Sequence, residues 1–272
     1  MNVICQSLDF FGCQVEIGIM LSKNTSHLES YRAIEQAYAE IKTVHEVCSF
    51  RSHLSDLYRL NTRIADWVTV HPYLFDLIQK VKRLMIDSEH SFNCLCGVRW
   101  VKQGLLPQLA HIRNHYIEQG DADDILIRGK DIMIARKCQI CLNGIAKGYA
   151  IDRAVESLIR HGITAAWVKA GGDMRVYGCL EVPIEIPWGQ RITKRVGHLC
   201  YSALGTSYLN ERGEAIRSTK PIYHEGPPLP IMVRADYGWM ADALTKVATC
   251  GSERVVQKVF DQYQAHVLTI QT

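Results

Sequence analysis

The chain lacks the features that mark membrane, exported and nucleic-acid-binding proteins. No apolar run approaches the roughly 20 residues that a membrane-spanning helix needs. Residues 1–14 contain no cationic leader followed by an apolar core, so we expect a cytoplasmic protein with no transmembrane segment. The net charge of +3 is small and no lysine-arginine run is interleaved with aromatic residues, which argues against a nucleic acid as partner.

The sequence also contains no internal repeat and no low-complexity segment. Its length of 272 residues is enough for one large domain or two small ones. The apolar content of 47% and charged content of 22% are those of a globular protein. The ten cysteines are expected to be reduced, mostly buried thiols, since no export signal is seen. A zinc site is the alternative for two close pairs, but we favour core packing; these pairs are Cys94 with Cys96 and Cys138 with Cys141.

The apolar pattern predicts strands and helices in irregular order. Strands are predicted at 9–22, 67–70, 131–135, 138–142, 165–168, 174–177, 231–233 and 265–270. Helices are predicted after a capping box at 26–29, from residue 72, after residue 143, over 111–120 and over 239–249. Residues 51–61 are predicted to be irregular, 92–100 strand or loop, and 218–230 loop. This order favours an α+β fold, with mixed sheets and packed helices, over a regular parallel βαβ series.

The segment 143–150, NGIAKGYA, has the layout of a phosphate-binding turn. Gly144 and Gly148 leave room for a ligand against the main chain, and the first amides of the following helix attract phosphate. Lys147 would add a full positive charge. The spacing matches neither GxxxxGK[ST] nor GxGxxG, so a tight strand-to-helix turn with an exposed lysine is an equally good interpretation.

Two further groups of residues could bear chemistry. Gly171-Gly172-Asp173 follows a predicted buried strand, where it could admit a ligand or form a hairpin turn. His224, next to Glu225 in the predicted loop, could act as a base near neutral pH, although a solvated histidine is the favoured interpretation.

A third group lies in the last predicted helix. Asp242 and Thr245 are three residues apart, so both side chains point the same way and could offer oxygen ligands to magnesium. The favoured alternative is an acidic residue at the start of a helix, where the helix dipole stabilises it.

Together these segments resemble the bacterial FAD:protein FMN transferase family, also called ApbE. The family pattern D-x-G-G-I-A-K-G-Y-A-x-D is similar to residues 141–152, and N-A-G-G-D-x-R is similar to residues 169–175. The patterns M-G-T, S-D-L-S-R-L-N and A-D-A-x-x-T are similar to residues 11–13, 55–61 and 241–243. All five occur in the family's order.

The resemblance implies an ApbE-like, T-fold-related architecture and a magnesium-dependent activity. FMN would pass from FAD to a threonine or serine hydroxyl of an acceptor redox protein, with release of AMP. We expect one domain over residues 1–272. Two lobes with a ligand cleft between them are an alternative within that domain, and an oligomer is possible. By resemblance, Asp242, Thr245 and the main-chain carbonyl of Ala146 would hold Mg²⁺. The FAD site would be lined by Asn143, Gly144, Ile145, Ala146, Lys147, Gly148, Gly171, Gly172 and Asp173.

The chain also departs from the family patterns around the ligand site. Cys141 and Asn143 replace an aspartate and a glycine, and Lys246 stands where the last pattern often has threonine. The pattern H-I-I-D-P-x-T-G is not present; near its expected place lie Lys220-Pro221 and His224-Glu225-Gly226. We therefore predict Asp242 and His224 as catalytic residues of a transferase, with an impaired flavin-binding protein and an FAD pyrophosphatase as alternatives.

Overall fold

The computed structural model describes residues 3–21, 26–109, 116–187, 193–208 and 230–268. Within these ranges the strands are β1 (Val3–Phe10), β2 (Cys13–Met20), β3 (Val68–Thr69), β4 (Ile125–Arg128), β5 (Asp131–Ile134), β6 (Ala166–Ala170), β7 (Asp173–Tyr177), β8 (Glu181–Pro187), β9 (Thr193–Cys200), β10 (Ala203–Ser207), β11 (Ile231–Ala235) and β12 (His266–Leu268). The helices are α1 (His27–Val47), α2 (Asp56–Thr62), α3 (Pro72–Asp87), α4 (Gly97–Lys102), α5 (Ala146–Arg160), α6 (Gly238–Cys250) and α7 (Glu253–Tyr263), with a 3-10 turn at Ala122–Asp124.

A seven-stranded sheet in the order β1-β2-β6-β7-β10-β11-β12 forms the centre of the molecule. Each neighbouring pair in it is antiparallel. Val15 of β2 pairs with Ala170 of β6, so the turn between β1 and β2 and the turn between β6 and β7 lie at the same end of the sheet. The smaller sheets β3-β5-β4 and β8-β9 are antiparallel too.

Both faces of the central sheet are covered. Because side chains alternate along a strand, Val15, Ile17 and Ile19 lie on the same face of β2. There they pack in one buried core with the apolar stripes of α1 and α5. On the opposite face, Met174 and Val176 pack under the β8-β9 hairpin. Each large apolar side chain buried in this way stabilises the fold by about 1.5–3 kcal/mol.

These elements confirm the predicted α+β class and most of the predicted helices and strands. The capping box at α1 forms as expected, with the Ser26 side chain accepting from the Glu29 amide and the Glu29 side chain accepting from the Ser26 amide. Among the described helices, none is long and apolar enough to cross a bilayer.

Two predictions for the first half of the chain were wrong. Residues 56–62, predicted to be irregular, form α2, because Ser55 caps its first turn and Leu57 and Leu60 are buried. The end of segment 92–100, predicted to be strand or loop, belongs to α4, which begins at Gly97. A helix that the pattern did not predict, α7, follows α6.

The predicted strand at 138–142 was also wrong, although this segment is held firmly. The side chain of Asn61 donates to the Ile140 carbonyl and accepts from the Ile140 amide, at 2.8 and 2.7 Å. The Cys141 amide donates to the Cys94 carbonyl at 2.7 Å. A side chain and a loop therefore take the hydrogen bonds that a neighbouring strand would otherwise supply.

The ten cysteines are free thiols. Cys94, Cys138 and Cys141 are buried in the core, and Cys96 accepts a hydrogen bond from the Trp100 indole. In the described part of the chain, no three histidine, cysteine or acidic side chains come together as a metal site.

The predicted helix at 111–120 does not form over 116–120. Its remaining residues and most of the 218–230 loop lie outside the described residues.

Candidate functional site

The segments singled out in the sequence come together at one end of the central sheet. A methyl group added to Gly171 would lie 3.7 Å from the Sγ of Cys13 and 3.8 Å from the Nζ of Lys147. These three residues belong to the β6-β7 turn, the start of β2 and the first turn of α5. The Gly171 backbone has a φ of +58°, which only a residue without a side chain adopts freely. The predicted hairpin turn is therefore present, and it faces the predicted phosphate-binding turn.

Lys147 and Asp173 form an ion pair across this junction. The Nζ of Lys147 lies 2.9 Å from Oδ2 of Asp173, whose other oxygen accepts from the Thr206 amide at 2.9 Å. Among the described residues, Oδ2 is buried without a hydrogen-bond partner, and the ion pair with Lys147 is the contact that compensates its charge. Burial lowers the pKa of Lys147, but the carboxylates of Asp173 and Asp242 outweigh it and hold the pKa above its usual value. The side chain of Lys147 therefore stays charged.

A second ion pair lies beside the first, within α6. The Nζ of Lys246 is 2.8 Å from Oδ1 of Asp242. Burial acts to raise the pKa of Asp242, but the ammonium groups of Lys246 and Lys147 outweigh it and lower the pKa. The Asp242 carboxyl is therefore ionised. Burial raises the pKa of Asp173, and the ammonium of Lys147 opposes this shift. The site thus contains two acidic and two basic side chains, joined in two ion pairs.

The carboxylates lie beneath the ammonium groups. Asp173 is 1% and Asp242 2% exposed, whereas the side chains of Lys147 and Lys246 are 26% and 29% exposed. An approaching ligand meets the lysines first. The outer face of the cluster is consequently positive and suited to an anion such as a phosphate.

Helices α5 and α6 cap each other at their N-terminal ends. Asp242 of α6 accepts from the Gly148 amide in the first turn of α5, at 3.2 Å. Asp152 of α5 accepts from the amides of Gly238 and Trp239 in the first turn of α6, at 2.8 and 2.9 Å. Asp242 lies in the second turn of α6, so the alternative that placed it at the start of its own helix, stabilised by that helix's dipole, was wrong. Its carboxylate interacts with the N-terminal end of α5 instead.

The predicted FAD-lining residues divide into an accessible and a buried set. Gly171, Gly172 and Asn143 are exposed, and Gly144 and Lys147 are half-buried. Ile145 and Ala146 are buried in the core.

The sequence indicates that Gly148 leaves room for a ligand, but in the structure Gly148 is buried between two helices. A methyl group there would lie 2.2 Å from the Gly238 carbonyl oxygen, so the missing side chain allows α5 and α6 to cross closely. The Ala146 amide bonds to the Leu142 carbonyl, and the Gly148 amide bonds to Asp242. Two first-turn amides are thus already used, and the lysines are the stronger attraction for an anion.

The predicted magnesium ligands do not fit a magnesium ion in this arrangement. Thr245 is fully buried, and its hydroxyl donates to the Asp242 carbonyl at 2.7 Å. The same hydroxyl accepts from Lys246 at 2.9 Å and bonds to the Ser207 hydroxyl at 2.8 Å. A hydroxyl has one donor and two acceptor positions, so Thr245 has none left for a metal. Both carboxylate oxygens of Asp242 are bonded as well.

Four residues of the site were missed or not assigned a role from the sequence. Cys13 was noted only as part of the resemblance, and Lys246 only as a departure from it. Thr206 and Ser207, at the end of β10, had no motif to mark them; Thr206 also donates its hydroxyl to the Gly172 carbonyl at 2.7 Å. The predicted base His224 lies outside the described residues.

A groove of about 850 Å³ lies away from these residues, between the start of β10, the end of β11 and α7. Its lining includes Ser202, Asp236 and Gln257, and none of the predicted site residues. We place the functional site at the charged cluster because the glycine turns and the predicted helix start meet there.

Comparisons with known proteins identify the family and the fold. The profile of the ApbE family matches residues 11–217. A comparison with curated protein sequences gives no match. The solved ApbE protein of Thermotoga maritima superposes with a TM-score of 0.78 at 20% identity, over 98% of this chain and 94% of that one. The flavin transferase ApbE of Vibrio cholerae gives a TM-score of 0.76 at 19% identity, over 98% and 93%. The apo flavinyl transferase ApbE of Pseudomonas stutzeri gives 0.75 at 19%, over 100% and 92%. At these identities the likeness establishes the fold.

Proposed function

Because the chain belongs to the ApbE family, we propose that it is a flavin transferase that uses FAD as its substrate. FMN would pass from FAD to a threonine or serine hydroxyl of an acceptor redox protein, and AMP would be released. The family match and the flavin transferases of similar fold support this assignment. The observation that carries it is the pair of partly exposed lysines, Lys147 and Lys246, above buried carboxylates at a glycine-lined junction.

The charge arrangement suits a pyrophosphate substrate. The bridging diphosphate of FAD carries two negative charges. The ammonium of Lys147, held in place by Asp173, would bind it directly without large reorganisation. Lys246, whose three N–H donors are bonded within α6, would attract it by its charge. Gly171 and Gly172 leave the main chain of the β6-β7 turn open to solvent beside Lys147, so the substrate could approach closely there.

The reaction is a phosphoryl transfer. The acceptor hydroxyl oxygen would attack the phosphorus of the FMN half of FAD, forming a new phosphoester bond. The bond from that phosphorus to the bridging oxygen would break, and AMP would leave with the electron pair. The lysines would stabilise the charge on the leaving phosphate, since catalysis of this class depends mainly on positioning and electrostatics. His224 stays the proposed acceptor of the hydroxyl proton.

The proposal treats residues 1–272 as a single domain and the cytoplasm as its location. One buried core that reaches from Ile4 to Ala265 supports the single domain, because it joins the central sheet to all the larger helices.

The test is incubation of the purified protein with FAD and a redox-protein domain that offers a candidate threonine. AMP is measured by chromatography, and covalent flavin by fluorescence of the acceptor after denaturing electrophoresis. Acceptor-dependent AMP release with a fluorescent acceptor is the expected result. AMP release without acceptor would identify an FAD pyrophosphatase, and bound FAD without AMP a flavin-binding protein; either would overturn the proposal. Parallel reactions contain Mg²⁺ or EDTA.

A further inference from the structure

The ammonium group of Lys246 contacts two of the three groups that were predicted to bind magnesium, the side chains of Asp242 and Thr245. Its Nζ is 2.8 Å from Oδ1 of Asp242, 2.9 Å from Oγ1 of Thr245 and 3.1 Å from the main-chain oxygen of Asp242. An ammonium group has three N–H donors, and here each has one oxygen acceptor. The cation position of this site is therefore filled by a side chain of the chain itself.

A magnesium ion could not share these oxygens with the lysine. Mg²⁺ binds its ligands at about 2.1 Å in near-octahedral geometry, so the ammonium would first have to leave. Its departure would free one acceptor position of the Thr245 hydroxyl, since the donor and the other acceptor position are occupied by Asp242 and Ser207.

The turn before α5 accommodates the lysine stem. A methyl group at Gly144 would lie 3.0 Å from Cε of Lys246, closer than a side chain normally packs. The bare backbone at Gly144 therefore leaves room for the aliphatic part of Lys246, in addition to any room it leaves for a ligand. Residues from two separate segments of the chain thus fit the lysine in this position.

We propose that Lys246 replaces the divalent cation, so that this chain binds its phosphate-containing substrate without a metal ion. The statement about the substrate rests on the proposed function; the statement about the cation rests on Asp242, Thr245 and Lys246 alone. The oxygen atoms around Lys246 are of the kind that bind a divalent cation. The single lysine among them makes the site independent of a metal ion.

The first measurement is the binding of Mn²⁺, used as a spectroscopic substitute for Mg²⁺, followed by the loss of the free-ion paramagnetic resonance signal. We expect no bound Mn²⁺ in the wild type and about one per chain in Lys246→Thr, which restores a hydroxyl and removes the ammonium. Lys258→Thr, which alters an exposed lysine paired with Glu89, is the control and should behave as the wild type does.

Two results of this measurement would overturn the proposal. One is a wild type that binds one Mn²⁺ and loses it in Asp242→Asn. The other is a correctly folded Lys246→Thr protein, judged by circular dichroism, that binds none. If Lys246→Thr does not fold, Lys246→Gln, which keeps most of the aliphatic stem, is measured in its place. Mn²⁺ binding by the wild type tests the proposal whether or not either variant folds.

The second measurement is FAD affinity, from quenching of flavin fluorescence, in EDTA and in Mg²⁺. The wild-type Kd should agree within twofold between the two buffers. Lys246→Thr should bind at least tenfold more weakly in EDTA and recover in Mg²⁺. A wild-type Kd that is tenfold weaker in EDTA would contradict the proposal. Absence of FAD binding in both buffers would defeat the proposed function, while the Mn²⁺ result would still decide the identity of the cation.

Discussion

Lys147 is the residue whose role is best defined by its surroundings. Asp173 fixes the position of its ammonium from below, and a quarter of the side chain remains open to solvent. A charged group that is oriented in advance binds an anion with less loss of side-chain entropy than a freely rotating lysine. We therefore expect the charge of Lys147 to matter more for a ligand than that of other surface lysines.

We expect Lys147→Gln to weaken FAD binding at least tenfold, or about 1.4 kcal/mol, because the amide keeps the length but removes the charge. It should also lower the free energy of unfolding by roughly 2 kcal/mol, a value reduced for the partial exposure of the lysine, since Asp173 loses its partner. Fluorescence titration and urea unfolding measure the two effects.

Lys42→Gln is the matched control, because Lys42 is exposed on α1 and pairs with the equally exposed Glu46. Its FAD affinity and stability should equal those of the wild type. Equal FAD affinity of Lys147→Gln and Lys42→Gln would show that the ammonium of Lys147 does not contact the substrate.

At the scale of elements, the crossing of α5 and α6 determines the geometry of the site. It brings Gly148 and Gly238 into backbone contact and sets Asp242 above the first turn of α5. Asp152 fastens the other end of the crossing and is also paired with Arg175 of β7, at 2.7 Å. The two helices and the central sheet are thus joined through one buried carboxylate.

Gly148→Ala should force the two helices apart, since the new methyl group would lie 2.2 Å from a backbone oxygen that cannot rotate away. We expect a loss of about 3 kcal/mol in the free energy of unfolding, typical of overpacking in a rigid core. Gly197→Ala in β9 is the control, because its nearest neighbour would be 4.0 Å away. Similar urea midpoints for the two variants would mean that the crossing tolerates a wider separation.

The buried carboxyl of Asp152, which caps α6, gives the free energy of unfolding a pH dependence of definite sign. Burial raises the pKa of Asp152 to about 6, although Arg175 and the Trp239 and Gly238 amides act to lower it. Between the unfolded value of about 3.9 and this value, the folded protein holds a proton that the unfolded chain has lost. The contribution to stability is therefore complete below pH 4 and is lost as the pH rises through 6.

The comparison of wild type with Asp152→Asn isolates this effect, since the amide does not titrate. The difference in unfolding free energy, wild type minus variant, should fall by about 2 kcal/mol from pH 4.5 to pH 7. Urea unfolding at intermediate pH values measures the slope. Parallel pH profiles for the two proteins would show that Asp152 has the same pKa in the folded and unfolded states.

For the whole molecule, ligand binding should raise the free energy of unfolding. FAD at 100 times its Kd adds about 2.7 kcal/mol, which for a chain of this size corresponds to an increase in Tm of roughly 5–8 °C. We expect the same increase in EDTA, because Lys246 supplies the positive charge. Riboflavin, which has no phosphate, should shift the Tm little at equal concentration. Equal shifts for FAD and riboflavin would place recognition at the isoalloxazine ring rather than at the lysines.

Local sequence patterns predicted much of this fold because they act over short distances. The capping box at Ser26, proline at the start of α3 and the apolar stripe of α5 each concern residues within a few turns of one another. Prediction failed where distant partners decide the structure. The segment 138–142 is held by Asn61, 79 residues away, and no local pattern announces this.

The site shows the same division. The order of the glycine, lysine and aspartate segments along the chain is enough to predict the fold class and the family. The contacts that these residues make depend on folding, because Gly148 and Asp242 are 94 residues apart and meet only when α5 and α6 cross. That contact turns Gly148 into a packing position. The same arrangement buries the carboxylate of Asp242 beneath Lys246, where an ammonium group in low-dielectric surroundings interacts strongly with its oxygen atoms.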